Sequence, residues 1–138
     1  MSAATEAIDH GRQARNEGNL PVAREFYIEA ARLYREQNDS LAYAHTIRHI
    51  ADIHRKEGSF SEAKSLYEEA LQLYRSNLDT KLLDLANTVR PYAMLLEVQG
   101  DLDSATKFWK EASHLYGSLR IDEGISECDT HLSQLLNS

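Results

Sequence analysis

The sequence predicts an all-α fold of seven helices, six paired into three hairpins and the seventh closing the chain. Three observations predict it. The segment EGNLPVAREFYIEAARLY (17–34) returns as EGSFSEAKSLYEEALQLY (57–74) and again as QGDLDSATKFWKEASHLY (99–116). Within each copy, apolar and aromatic residues recur at the spacing of one helix face. Only two prolines and six glycines punctuate a chain rich in Ala, Leu, Glu, Arg and Gln, the residues that favour helix most.

The copies step by 40 and then 42 residues, through Gly18/Gly58/Gly100, Leu20/Phe60/Leu102, Ala23/Ala63/Ala105, Tyr27/Tyr67/Trp109, Ala30/Ala70/Ala112 and Tyr34/Tyr74/Tyr116. A first helix over about 3–17 stops at Gly18, where a tight reversal favours a residue that tolerates positive φ, and a second follows over about 20–36. The pattern repeats as helices over about 40–57 and 60–76, then 80–98 and 102–117, with a last helix over about 122–136. Gly11, Ala51 and Ala93 in the first helices oppose the alanines of the second helices and allow close approach. The aromatics are predicted to fill the space between one hairpin and the next, as core and not as a stacking platform for a ligand. Pro91 interrupts the fifth helix where the preceding hairpin has His49, which predicts a local bend and a carbonyl on Asn87 released from its helical partner.

At 138 residues the chain predicts one domain, 1–138. A formal charge of −7 argues against nucleic acid and anionic membrane as partners, because phosphates reward an excess of Lys and Arg. The single Cys128 has no internal disulfide partner, and its alignment with Ile47 and Val89 predicts a small core residue. The opening residues hold no apolar run of signal-peptide type, so a cytoplasmic location is the expectation.

The small residue late in each first helix, followed by Gly, an apolar residue, Ala, an aromatic and Ala, resembles the tetratricopeptide repeat. The resemblance covers three repeats, about 3–36, 40–77 and 80–119, with a capping helix over about 122–136. It implies a right-handed α-solenoid. The period is longer than the family's usual one and is similar to kinesin-light-chain-type repeats, with the added residues NDSLAY (38–43) and LDTKLLDL (78–85) extending the first helices. The family's usual proline after the second helix is absent.

Function implied by the resemblance is protein–protein interaction, with a peptide segment or partner helix held in a concave groove lined by the first helices. Groove positions carried over from the family fall on Thr5, Ile8, Arg12, Arg15 and Asn16 in the first repeat. In the second they are His45, Arg48, Asp52, Arg55 and Lys56, and in the third Asn87, Arg90, Met94 and Glu97, with Ser126, Asp129 and Ser133 from the cap. The excess of arginine on this face predicts an acidic or carboxylate-bearing segment, since guanidinium donates in pairs to carboxylate. Against that, Arg48 and Asp52, four apart on one helix, are spaced to neutralise one another, and Arg90 is expected to find the same with Asp129 across helices. Ile8 and Arg12 stand where the carboxylate clamp of chaperone-binding relatives has Lys and Asn, which argues against that subtype.

Two alternatives remain. Leu135 and Leu136 in the last helix, with the array's open ends, allow a homo-oligomeric assembly. His45, His49 and Asp52 lie on one stripe and give a weak candidate for metal binding. His10, His54 and His131 are expected to pack against second helices. No phosphate loop, GxSxG or HExxH is present, so neither an enzyme nor a bound cofactor is predicted.

Overall fold

Seven helices follow one another in a computed structural model that describes residues 2–137: α1 (Ala3–Asn16), α2 (Leu20–Glu36), α3 (Ser40–Lys56), α4 (Phe60–Arg75), α5 (Leu82–Val98), α6 (Leu102–Leu119) and α7 (Asp122–Leu136). No strand occurs among the described residues. They form two units, Met1–Asn77 with α1 to α4 and Leu78–Ser138 with α5 to α7. In the first, α1 packs on α2, α2 on α3 and α3 on α4; in the second, α5 packs on α6 and α6 on α7.

Each hairpin turns on its glycine. Gly18, Gly58 and Gly100 have φ of 79°, 82° and 82°, where a Cβ would strain the backbone. The next residue closes the preceding helix: Asn19, Ser59 and Asp101 donate their N–H to the carbonyls of Ala14, His54 and Leu96 at 2.8 to 2.9 Å. Asn19 and Asp101 then cap the following helix, accepting from Val22 and Ser104 through their side chains. The turns into α3 and α7 use Asn38 (φ 57°) and Arg120 (φ 58°) instead. Arg120 meets the usual cost of about 1 kcal/mol for a side chain in that conformation.

The repeated positions are inside. Ala23, Ala63, Ala105, Ala30, Ala70 and Ala112 are fully buried, as are Ala51 and Ala93, so no larger side chain fits without moving a helix. Tyr27, Tyr67 and Trp109 are buried beside them, each worth about 1.5–3 kcal/mol in apolar area removed from water. Gly11 lies under Tyr27, whose ring atoms would sit 3.2 Å from an added Cβ. Cys128 is buried, and burial first and the neighbouring acids second push its thiol up to about 11.

The expectation about the added segments needs correction. Neither added segment extends its helix in full: α5 starts only at Leu82, and α3 starts at Ser40, after the turn at Asn38. The helix α5 runs on through Pro91, which is buried, as are Val89, Tyr92 and Ala93. Packing therefore carries the intrinsic cost of about 3 kcal/mol for a proline inside a helix. No described helix is long and apolar enough to cross a membrane.

Candidate functional site

In the first unit, side chains from α1, α3 and α4 converge on Asp52, which is 5% exposed. Residues three and four apart share a helix face, so α3 presents Arg48, Asp52 and Arg55 together. Arg48 Nη1 lies 3.4 Å from Asp52 Oδ2, and Arg55 Nη2 lies 3.9 Å from Oδ1. From α1, Arg15 Nη2 stands 4.0 Å from Oδ2, while its Nη1 donates to His49 Nδ1 at 3.0 Å. From α4, Tyr67 donates its hydroxyl to Asp52 Oδ1 and accepts from Arg55 Nε at 3.2 Å. One carboxylate thus serves three guanidiniums, and none of the three grips it at two points.

The surroundings respond to that surplus of positive charge. Burial first, then Arg48, His45, Arg15 and Arg12, lower His49 to about 2, so its imidazole is neutral. Arginines face both ring nitrogens, Arg15 Nη1 at 3.0 Å from Nδ1 and Arg48 Nη2 at 3.4 Å from Nε2, with His45 Nε2 at 3.2 Å from Nε2, and the ring stacks on Tyr27 with centroids 5.4 Å apart. Lys56 is lowered by burial and then by Arg15, with Asp52 only partly opposing. Burial and Asp52 hold the Tyr67 phenol well above its ordinary range, which keeps its proton on the hydrogen bond.

The corresponding face of the second unit is closed by its own carboxylates. Arg90 makes a two-point pair with Glu127 of α7 through Nε and Nη2, the latter 2.8 Å from Oε2. The hydrogen bond from Arg90 holds Glu127 below the usual carboxylate range. Asn87 Oδ1 accepts from the Tyr116 hydroxyl at 2.8 Å. Glu97 Oε1 accepts from Trp109 Nε1 at 2.8 Å and lies 3.0 Å from His131 Nδ1, whose ring stacks on Trp109 at 4.1 Å. A groove of about 320 Å³ between α5, α6 and α7 is lined by Asn87, Arg90, Tyr116, Ile121, Glu123, Gly124 and Glu127.

The predicted site residues therefore fall into one group within each unit. Arg15, His45, Arg48, Asp52 and Arg55 come together, and Arg12 stands beside them, exposed and 3.4 Å from Asp9. Met94 is half-buried on α5. Arg90 meets Glu127 of α7 in place of the expected Asp129; Asp129 is exposed and accepts from Ser113 of α6 at 3.4 Å. As for the metal candidate, Asp52 is taken up by arginines and Tyr67, and no three metal-capable side chains gather among the described residues. His131 packs on α6 as expected, and His54 is half-buried with Nδ1 lacking a partner. His10 stacks on Phe26 at 5.1 Å but stays exposed, because its place on α1 lies at the edge of the contact with α2. Sequence reasoning missed Tyr67, Trp109, Tyr116, Glu127 and His131 as polar partners on these faces. The signal available was the polar tip on each repeated aromatic, which must find a partner when the ring is buried.

A family model for the tetratricopeptide repeat matches residues 3–76. The chain belongs to the tetratricopeptide-repeat family. BtubC from P. vanneervenii is similar in structure, with a TM-score of 0.85 at 19% identity over 97% of this chain and 55% of that one. The N-terminal domain of stress-induced protein-1 from C. elegans matches at a TM-score of 0.70 and 19% identity, covering 94% of each chain. A Podosopora anserina chain assigned as a kinesin light chain, with nearly identical TPR-like repeats, matches at 0.74 and 12% identity over 97% of this chain and 65% of that one. The chain thus spans little more than half of BtubC. No curated protein matches it. Likeness at these identities shows the fold class, the α-solenoid of tetratricopeptide repeats. Tetratricopeptide repeats are, in general, non-enzymatic protein-interaction modules.

Proposed function

We propose that this tetratricopeptide-repeat chain is a scaffold or adaptor that docks an acidic or carboxylate-bearing segment, as peptide or partner helix, on the α1–α3 face. The reading takes residues 1–138 as one cytoplasmic module of three repeats and a cap. The observation that carries it is the sharing of Asp52 by Arg15, Arg48 and Arg55 without a two-point pair. Guanidiniums held by neighbours yet short of acceptors are pre-organised for an incoming carboxylate, which lowers the entropic cost of binding. Arg12, Arg15, Arg55 and Lys56 supply the charge, and Asp52 with Tyr67 sets the direction of Arg48 and Arg55. Asn87 and Arg90 already have a donor partner in Tyr116 and an acceptor partner in Glu127, respectively, so they add less.

For one short peptide the expected affinity is on the order of micromolar, about −8 kcal/mol. Fluorescence anisotropy with a degenerate pool of Asp/Glu-rich decapeptides tests the reading. The double variant Arg12→Glu/Arg15→Glu should weaken binding at least tenfold and Arg90→Glu only slightly; an unchanged affinity in the double variant rejects the α1–α3 face.

A second reading, homo-oligomeric assembly, rests on Leu136, 69% exposed at the end of α7, and on a groove of about 590 Å³ lined by Ile125 and Leu132 of α7 with His114 and Lys110 of α6. Sedimentation velocity across a hundredfold concentration range distinguishes the two, since a constant monomer excludes assembly.

A further inference from the structure

We infer that the α1–α3 face selects a doubly charged oxyanion, and that its ligand is a phosphorylated side chain on a protein segment in preference to a carboxylate. The inference rests on the docking reading above and narrows its ligand. Three guanidiniums stand around one carboxylate, which leaves two positive charges in a partly buried setting, the arginine side chains being 15% to 22% exposed. His49 adds no charge, being neutral, and Tyr67 subtracts none, its phenol keeping its proton. A carboxylate ligand brings one negative charge and leaves one positive charge over. A phosphorylated serine, threonine or tyrosine brings about −1.5 to −2 at pH 7 and three acceptor oxygens.

The donor inventory points the same way. Arg48 keeps a buried Nε–H with no acceptor, its Nη1 reaches Asp52 only at 3.4 Å and its Nη2 lies 3.4 Å from His49 Nε2. Arg15 and Arg55 reach that carboxylate only at 4.0 and 3.9 Å, near the outer limit of an ion pair. Arg12 and Lys56 lie close enough for their charges to couple with this cluster, at His49 and Arg15 respectively. An acceptor with more oxygens than a carboxylate satisfies more of these N–H groups from a single position. The second unit shows the contrast: Arg90 is already chelated by Glu127, and its groove is lined by Glu123 and Glu127, which repel a dianion. A segment of protein, and not free phosphate, is the source favoured by Arg12 and Lys56, which are exposed at the margins and extend the cationic surface along a bound chain.

The test uses the full chain and three labelled decapeptide pools of neutral flanking sequence, identical except for a central phosphoserine, glutamate or serine. Anisotropy at 0.15 M salt should give the phosphoserine pool at least tenfold tighter binding than the glutamate pool, and tenfold millimolar inorganic phosphate should compete only weakly. Arg15→Gln and Arg55→Gln should each remove most of the phosphoserine preference, while Arg32→Gln on the outer side of α2 leaves it unchanged. Circular dichroism checks that each variant keeps its helicity. Equal or tighter binding of the glutamate pool overturns this inference and leaves the docking reading intact. Failure of both charged pools to exceed the serine pool overturns both. Displacement by inorganic phosphate at the peptide's own concentration overturns the choice of a protein-borne phosphate.

Discussion

In the first unit, Arg48, Asp52 and Arg55 occupy the positions that Arg90, Met94 and Glu97 hold 42 residues later. The same register of a first helix thus carries a buried carboxylate among arginines in one place, and an arginine paired away from a second acid in the other. The aromatic on the following helix explains the change. Tyr67 both gives and receives a hydrogen bond, so it tolerates a donor, Arg55, on one side and needs an acceptor, Asp52, on the other. Trp109 only donates. A donor at position 97 would face another donor, and Glu97 supplies the acceptor instead. With the indole satisfied there, position 94 needs no carboxylate and carries Met94. A single exchange of hydroxyl for indole is accompanied by a reversal of charge along the face, which turns a cationic surface into a closed, acidic one.

The largest effect should come from giving the first unit the second unit's residue. Asp52→Met removes the carboxylate shared by Arg15, Arg48 and Arg55, which is also the acceptor of Tyr67. Stranding partly buried charges costs about 3 kcal/mol, which urea denaturation monitored by circular dichroism would read as a lower midpoint. A loss below about 1 kcal/mol shows that the arginines are solvated well enough to need no partner, and the contrast between the units loses its energetic basis.

A steric difference follows. An added Cβ at Gly124 would stand 2.5 Å from Tyr116 Cγ, whereas at Gly11 it would stand 3.2 Å from the far end of the Tyr27 ring. Ring atoms next to Cβ cannot swing aside without moving α6. Gly124→Ala should cost about 2 kcal/mol despite the better helix propensity of alanine. Gly11→Ala should cost less than half of that, and equal losses in thermal denaturation contradict the closer seating of α7.

These contrasts mark what the sequence discloses. The small residues and aromatics at shared steps reveal the hairpins because packing tolerates one size at each place, and each glycine shows its turn because a Cβ is strained at its φ. The turn at Arg120 gives no such sign, since arginine rarely takes positive φ, and here the end of α6 closes through the N–H groups of Arg120 and Ile121 on the carbonyls of Gly117 and Tyr116. The cluster around Asp52 is half legible: i, i+3 and i+4 spacing places Arg48, Asp52 and Arg55 together, but Arg15 and Tyr67 arrive from other helices. Pairing across helices depends on side-chain reach and on the rotation of α7, which one sequence does not specify. For that reason Glu127, and not Asp129, meets Arg90.

A pH series should also tell the two faces apart. His49 is held neutral by burial and by the charges of Arg48, His45, Arg15 and Arg12, against the neutral face of Tyr27. Its folded value is depressed to about 2, below the ordinary value of 6.5. Above pH 6.5 neither state binds the proton, and its effect on stability is nil. As pH falls below that, the unfolded chain takes up a proton that the folded chain refuses, so stability falls by at most about 1.4 kcal/mol per pH unit toward the folded value. His49→Gln should flatten this slope between pH 6.5 and 4.5; an unaltered slope means that the imidazole is protonated in place and that the first face lacks its positive field.

The smallest effect is expected at Glu97, where charge and hydrogen bonding can be separated. Glu97→Gln keeps a side-chain oxygen for Trp109 Nε1 and removes only the charge opposite His131, a pair whose side chains are 26% and 27% exposed. Solvent screening limits that to about 0.5 kcal/mol. Glu97→Leu has similar bulk but no acceptor, and it leaves the N–H of a fully buried tryptophan unpaired, at about 1–3 kcal/mol. If acceptor chemistry dictates the residue at this position, the leucine variant must be the less stable of the two in chemical denaturation. Should both lose the same amount, charge is what position 97 supplies, and the exchange of tyrosine for tryptophan would not account for the opposite character of the two faces.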